Sequence, residues 1–220
     1  MIERPSPNHN ERPPGTPVDI LLLHYTGMKT AEDALARLCD PAAKVSAHYT
    51  IDEDGTVYRH VSEDRRAWHA GQSFWAGETD VNGRSIGIEL VNPGHEFGYR
   101  SFPEAQITAL IPLAKDIIAR HGIPAGRVLA HSDVAPDRRQ DPGELFDWAR
   151  LGEAGIGLWP TASAEQPKTD SRSMLERFGY NVAVGGVIAA FQRHFRPAKV
   201  DGVVDKETHA RLGALIAALE

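Results

Sequence analysis

The stretch VDILLLHYT, residues 18–26, is a short apolar run that ends near a histidine. A run of this length is typical of a buried central strand. SIGIELV at residues 85–91 and VLAH at residues 128–131 have the same character. Alternation along the second run places its isoleucines and leucine on one face and Glu89 on the other. These three runs predict the core strands of a sheet.

Helical patterns separate the strands. Residues 30–39 and 104–120 place apolar side chains at helical spacing, and Pro112 predicts a kink or break in the longer helix. An Asp-Gly pair predicts a hairpin over residues 47–61, and residues 142–151 predict a last helix. Because strands and helices alternate, the predicted fold class is α/β, with a central mixed sheet flanked by helices.

The chain divides by composition into four parts. Residues 1–17 are rich in proline and polar residues and predict an N-terminal tail, and residues 18–160 hold the α/β pattern. A polar segment that contains proline predicts a linker at residues 161–172. Residues 173–220 contain three helical patterns. We expect a main domain followed by a small three-helix domain.

Bulk composition excludes several classes of protein. The 220 residues are 41% hydrophobic and 25% charged, which is ordinary for a globular protein. The net charge of −6 argues against a nucleic-acid partner. The single cysteine, Cys39, cannot form an internal disulfide and is expected to be a small buried apolar residue. No signal peptide or membrane span is visible, so a cytoplasmic protein is expected, with the periplasm or cell envelope as the alternative.

His24, His131 and Asp141 are the most informative residues for chemistry. The two histidines end apolar strands, where sites collect in α/β sheets, and Asp141 follows His131 by ten residues. Two imidazoles and one carboxylate are the ligands of a catalytic zinc with an open fourth position. Zinc at such a site can lower the pKa of water to about 7. The pattern also allows two ordinary strand-end histidines and an aspartate that caps the helix expected at residue 142.

Five segments, taken in order, resemble the zinc-dependent N-acetylmuramoyl-L-alanine amidases of the type-2 family, which share the peptidoglycan-recognition-protein fold. These segments are LHYT (23–26), SAHY (46–49), AWHAG (67–71), NGRSIGIEL (82–90), and AHSD (130–133) through DPG (141–143). The resemblance covers residues 18 to 159. It implies a bacterial hydrolase that uses Zn²⁺ to cleave the amide between N-acetylmuramic acid and L-alanine in peptidoglycan or muropeptides.

The resemblance also implies roles for individual residues. His24, His131 and Asp141 would bind the zinc. Glu89 would take a proton from the attacking water and later pass it to the leaving amine. The alternative for Glu89 is a solvated strand carboxylate.

One position departs from the family pattern. Many members carry lysine two residues before the metal aspartate, whereas this chain has Arg139. Either cation can stabilise an oxyanion, but an always-protonated arginine cannot relay protons. The alternative is a surface arginine paired with Asp137 or Glu144.

Four further residues are expected to contribute to substrate binding. Trp68 and His69 are expected to line the substrate groove, and Asn82 to brace the strand before Glu89. His48 is either a pocket residue or a buried, hydrogen-bonded histidine.

The C-terminal part carries a second resemblance. AFQRHFRP at residues 190–197 and DGVVDKET at residues 201–208 resemble the three-helix peptidoglycan-binding domain, which would hold the enzyme on the glycan. The alternative is a helical cap that only stabilises the main domain. Two rival functions stay open, a non-catalytic peptidoglycan-recognition protein and a zinc peptidase acting within the stem peptide. Intact sacculus and 1,6-anhydro-muropeptide are both plausible substrates.

Overall fold

A computed structural model of the chain describes residues 1–161 and 167–219. Its elements, in chain order, are β1 (Ile2–Glu3), β2 (His9–Glu11), β3 (Ile20–Tyr25), α1 (Ala31–Cys39), β4 (Tyr49–Ile51), β5 (Val57–Arg59), β6 (Arg65–Ala67), α2 (Val81–Arg84), β7 (Ser85–Leu90), α3 (Gly94–Phe97), α4 (Glu104–His121), a 3₁₀ turn (Ala125–Arg127), β8 (Val128–Ala130), α5 (His131–Val134), α6 (Trp148–Glu153), α7 (Ser171–Phe178), α8 (Val187–Phe195) and α9 (Lys206–Ala217).

Six strands form one mixed sheet in the order β1-β5-β4-β7-β3-β8. The β4–β5 pair is the predicted antiparallel hairpin, and the other neighbours in this sheet pair parallel. The three apolar runs singled out in the sequence form β3, β7 and β8, which are adjacent in the sheet. The predicted α/β fold with a central mixed sheet is therefore confirmed.

The central strand β3 is buried on both of its faces. Leu21 and Leu23 pack in a cluster with the apolar side of α4, whereas Ile20 and Leu22 pack in a second cluster with the C-terminal helices α7, α8 and α9. Alternation along the strand delivers these residues to opposite faces. Helices therefore cover both faces of the sheet, which leaves the strand ends to form the site.

The N-terminal segment is not the tail predicted from its composition. Strand β1 pairs with β5, and β2 pairs with β6 in a separate two-stranded sheet. The Arg12 side chain donates to the backbone oxygens of Asn82, Gly83 and Ser85. The segment is held by backbone pairing and by polar side chains, among them Arg4, Asn8 and Arg12, and neither needs an apolar pattern.

Three other local predictions differ from the structure. Helix α4 is continuous through Pro112, with buried apolar residues on both sides of the proline, so the break that was one of the two expectations there does not occur. The helix expected over residues 142–151 begins only at Trp148, since Gly143 has a positive φ that does not suit a helix. Helix α7 begins inside the expected linker, of which residues 162–166 lie outside the described part. No helix in the described ranges is long and apolar enough to cross a membrane.

Candidate active site and metal centre

A groove of about 580 Å³ lies at one end of the parallel strands. His24 is the fifth residue of β3, and His131 follows β8 directly as the first residue of α5. Strands β3 and β8 pair with Leu23 opposite Ala130, so the two histidines that follow these residues lie side by side. Asp141 comes from the loop after α5 and lines the groove together with His131.

The three side chains present one atom each to a common point. His24 Nδ1 lies 2.9 Å from His131 Nδ1, and Asp141 Oδ2 lies 3.1 Å and 3.0 Å from these two nitrogens. All three residues are buried. Ligands around a tetrahedral zinc lie about 3.3 Å apart, given metal–ligand distances near 2.0–2.1 Å. The spacing is close to that of three zinc ligands.

Hydrogen bonds fix the tautomer of His131. Its Nε2 lies 3.0 Å from the carbonyl oxygen of Ala70, which can only accept. Nε2 therefore carries the proton and Nδ1 keeps its lone pair. Outer carbonyl partners of this kind orient metal-binding histidines.

A longer chain of hydrogen bonds fixes the tautomer of His24. Ser85 Oγ donates to the carbonyl of Val81 at 2.7 Å, so it accepts from His69 Nε2 at 3.3 Å. His69 Nδ1 is then an acceptor for His24 Nε2–H at 3.0 Å. The His24 Nδ1 lone pair is left facing the other two donor atoms. Sequence reasoning missed Ser85, because nothing in a serine that begins a strand marks it as a partner of histidine.

The donor set fits a cation. With the tautomers given above, the lone pairs of His24 Nδ1 and His131 Nδ1 and the oxygen Oδ2 of Asp141 face one another at hydrogen-bonding distance, and none of the three atoms carries a proton to share. Burial, followed by the neighbouring His131, lowers the pKa of His24 to about 4. Burial alone would raise the pKa of Asp141, but the charges and hydrogen bonds of His131 and His24 hold it well below its usual range. A divalent metal ion suits this unprotonated, electron-rich set.

Glu89 lies on β7, opposite His24 of β3 in the parallel register. The side chain lines the groove, and its Oε2 is buried without a hydrogen-bond partner among the described residues. Burial raises the pKa of Glu89 well above its usual value, the charge of Asp141 raises it further, and Arg139 opposes the shift. A carboxylate with a raised pKa beside such a centre can exchange a proton with a reactant.

Two consecutive arginines take different positions at the groove. Arg138 donates to the carbonyl oxygens of Ala70 and Gln72 and so ties the loop before α6 to the segment after β6. Arg139 is exposed at the groove wall. Within the described part of the chain, Glu144 pairs with His95 and Arg193 instead of Arg139.

The four candidate substrate residues separate into two pairs. Trp68 and His69 line the groove, and the indole of Trp68 is held by a hydrogen bond to Asn10 of β2. His48 and Asn82 are buried and do not line this groove. Of the two expectations for His48, the structure therefore shows the buried, hydrogen-bonded histidine.

His48 and Asn82 instead bond to backbone behind the groove. His48 Nδ1 accepts from the Gly87 N–H, and burial, followed by the charge of Arg12, lowers its pKa to about 3. Asn82 Oδ1 accepts from the backbone N–H groups of His69 and Ala70. It braces the groove segment rather than the strand that carries Glu89.

Replacing Gly87 with alanine is expected to displace His69. An added Cβ would lie 2.5 Å from His69 Nδ1 and 2.6 Å from two further ring atoms. We expect Gly87→Ala to lower the free energy of unfolding by about 1–3 kcal/mol, measured by urea denaturation. Gly185→Ala is the matched control, because nothing lies within 4 Å of its added Cβ. Equal stability of the two variants would contradict the packing described here.

Comparison with known proteins identifies relatives over most of the chain. The family model described as N-acetylmuramoyl-L-alanine amidase matches residues 14–144. N-acetylmuramoyl-L-alanine amidase AmiD of Escherichia coli (strain K12) is 41% identical over 230 residues, covering 90% of this chain and 82% of that protein. 1,6-Anhydro-N-acetylmuramyl-L-alanine amidase AmpD of Enterobacter cloacae is 35% identical over 164 residues, covering 67% of this chain and 86% of that protein.

Two solved structures match the whole architecture. A complex of AmiD from E. coli with the substrate anhydro-N-acetylmuramic acid-L-Ala-D-gamma-Glu-L-Lys superposes with a TM-score of 0.81, at 39% identity. It covers 93% of this chain and 91% of that one. AmpDh3 from Pseudomonas aeruginosa superposes with a TM-score of 0.82, at 34% identity and 94% coverage of both chains.

Proposed function

Since the chain belongs to the N-acetylmuramoyl-L-alanine amidase family and is an amidase, we propose that it is a zinc hydrolase. It cleaves the amide bond between N-acetylmuramic acid and L-alanine in peptidoglycan or muropeptides. The observation that carries the zinc assignment is the set of three donor atoms of His24, His131 and Asp141, which lie 2.9–3.1 Å apart.

Each residue of the centre has a distinct task. Zinc, when bound, supplies Lewis acidity that polarises a carbonyl and lowers the pKa of water. Glu89 takes a proton at its carboxylate from the attacking water and delivers it to the nitrogen of the leaving L-alanine. The guanidinium of Arg139 stabilises the negative charge that develops on the amide oxygen. Trp68 and His69 contribute to the wall against which the substrate binds.

Removing the cation at position 139 is expected to slow the reaction. We expect Arg139→Ala to lower kcat by about 10²–10³-fold, as for loss of an oxyanion donor. Arg139→Lys keeps the positive charge and should retain most of the activity. Both rates are measured with a purified anhydromuropeptide at saturating concentration. Wild-type turnover in Arg139→Ala would mean that this arginine is only a surface charge.

Relatives guide the choice of substrate. The AmiD complex contains an anhydromuramic acid linked to L-alanine, and AmpD is described as a 1,6-anhydro amidase. We propose that this chain accepts muropeptides of that kind. We propose that helices α7–α9 form the three-helix domain and that it binds the glycan of polymeric peptidoglycan. A division near residue 160 into a main part and a C-terminal part, and a cytoplasmic location, stay proposals.

Mass spectrometry of the products tests this function. Purified sacculi and an anhydromuropeptide are incubated separately with the protein, with and without a zinc chelator. Release of intact stem peptides that begin at L-alanine, abolished by the chelator, is the expected result. Fragments cut within the stem peptide would indicate a zinc peptidase. If neither substrate gave a product, the result would indicate a non-catalytic binding protein.

A further inference from the structure

A buried polar network joins the C-terminal helices to the turn that carries His131. Asp133 lies in α5, two residues after His131, and is fully buried. Its Oδ1 accepts from Tyr180 Oη at 2.5 Å, and its Oδ2 accepts from His194 Nδ1 at 2.7 Å. Oδ2 also accepts from the backbone N–H of Ala130 at 2.8 Å. Two donors from the C-terminal helical part therefore hold one carboxylate of the metal-binding turn.

Aromatic packing holds the imidazole of His194 in place. The ring stacks on Trp148 of α6 at a centroid distance of 3.7 Å and on Phe195 at 3.8 Å. Burial, followed by the charge of Asp133, raises the pKa of Tyr180 well above its usual value, so its hydroxyl keeps the proton that it donates. If either donor turned away, Asp133 would lose one of its three hydrogen bonds in the interior.

Helix α8 also touches the rest of the loop between the two metal-ligand positions. Gly186, which precedes α8, lies so close to the carbonyl oxygen of Pro136 that an added Cβ would overlap it. Arg193 contacts Gln140, the residue before Asp141. The backbone N–H of Ser132 donates to the carbonyl of Asp141 at 3.0 Å, which links the two ends of the loop.

The geometry points to Tyr180, His194 and Asp133 as positioning residues that hold His131 and Asp141 in metal-binding geometry. This inference rests on the proposed zinc site. A buried polar set of this kind is not needed for stability, because well-packed apolar residues often stabilise a core equally well. Hydrogen bonds to both oxygens of Asp133 nevertheless fix one arrangement of the groups attached to it. The C-terminal helices thus hold the turn that carries His131 in position, in addition to any contact with glycan.

Zinc affinity of the full chain tests the inference. Metal-free protein is titrated with Zn²⁺ in competition with a chromophoric chelator, and thermal unfolding of the metal-free form is recorded in parallel. Tyr180→Phe and His194→Leu each remove one donor to Asp133. His194→Asn places an amide N–H near the position of Nδ1. Leu215→Ala, in the buried side of α9, is the control for a general loss of packing.

We expect Tyr180→Phe and His194→Leu to weaken zinc affinity by about 10-fold, the lower end of the range for groups that hydrogen-bond metal ligands directly. His194→Asn should restore most of that affinity. Leu215→Ala should lower the unfolding temperature and leave zinc affinity unchanged. If His194→Leu does not fold, the zinc affinity of Tyr180→Phe tests the inference by itself. This variant keeps the aromatic ring that packs against Trp75.

Two results would overturn the inference, and they can be told apart. Unchanged zinc affinity in a folded Tyr180→Phe variant would assign the network to stability alone and leave the zinc hydrolase intact. Wild-type protein that binds no zinc would overturn the inference and the proposed function together.

Discussion

Glu89→Gln should give a folded, zinc-binding protein with almost no turnover. The amide of glutamine has nearly the same shape but cannot accept the proton of the attacking water, and such a base contributes about 10²–10⁴-fold to the rate. We therefore expect kcat to fall by that factor. Stability should be maintained or increased, because Glu89 is a buried carboxyl whose Oε2 has no partner in the described residues.

Three measurements check this expectation. Turnover is followed by release of stem peptide, zinc affinity by chelator competition, and stability by thermal unfolding. Glu153→Gln makes the same charge change on the exposed surface of α6 and should behave as wild type. Turnover that survives Glu89→Gln would remove Glu89 from the mechanism, whereas a loss of zinc affinity would make it part of the metal site.

Asp141→Asn should abolish zinc binding and activity together without unfolding the metal-free protein. The substitution replaces a negatively charged ligand with a neutral amide. Its N–H can donate to the Nδ1 lone pair of His131 or of His24, each about 3 Å from Asp141 Oδ2. We expect zinc affinity to fall by more than the roughly 10–100-fold that loss of an outer partner costs.

Thermal unfolding with and without added zinc separates the two effects. Wild-type protein should gain stability on zinc addition, because a ligand that binds only the folded state stabilises it. Asp141→Asn should unfold cooperatively without metal and gain nothing on zinc addition. Asp137→Asn, an exposed change on the same loop, is the control and should respond to zinc as wild type does. Equal zinc-induced stabilisation of Asp141→Asn would exclude Asp141 as a ligand.

The sheet and the donor cluster could be predicted because both depend on local sequence. The apolar runs that become β3, β7 and β8 are short, and two of them carry a histidine at or beside their carboxyl end. Parallel pairing of neighbouring strands brings such ends together, and the pairing of β3 with β8 is what makes His24 and His131 meet. The alternation along β7 that buries Ile86 and Ile88 also predicted that the Glu89 side chain lies on the opposite face of the strand.

The remaining features depend on contacts distant in sequence. Strands β1 and β2 pair through their backbone, which leaves little trace in composition. Asp133 and His194 are 61 positions apart, and neither lies in a segment whose pattern indicates the other. His48 occurs in a segment that resembles the amidase family, yet its ring bonds to backbone behind the groove. Sequence similarity marked the residue but could not give the direction of its side chain.

Anomalous X-ray diffraction at the zinc edge, from crystals grown with zinc, tests the metal assignment most directly. The expected result is a strong peak within about 2.0–2.2 Å of His24 Nδ1, His131 Nδ1 and Asp141 Oδ2, with Glu89 outside the ligand set. No peak among these three atoms, or zinc bound only elsewhere on the chain, would contradict the assignment of this cluster as the catalytic metal centre.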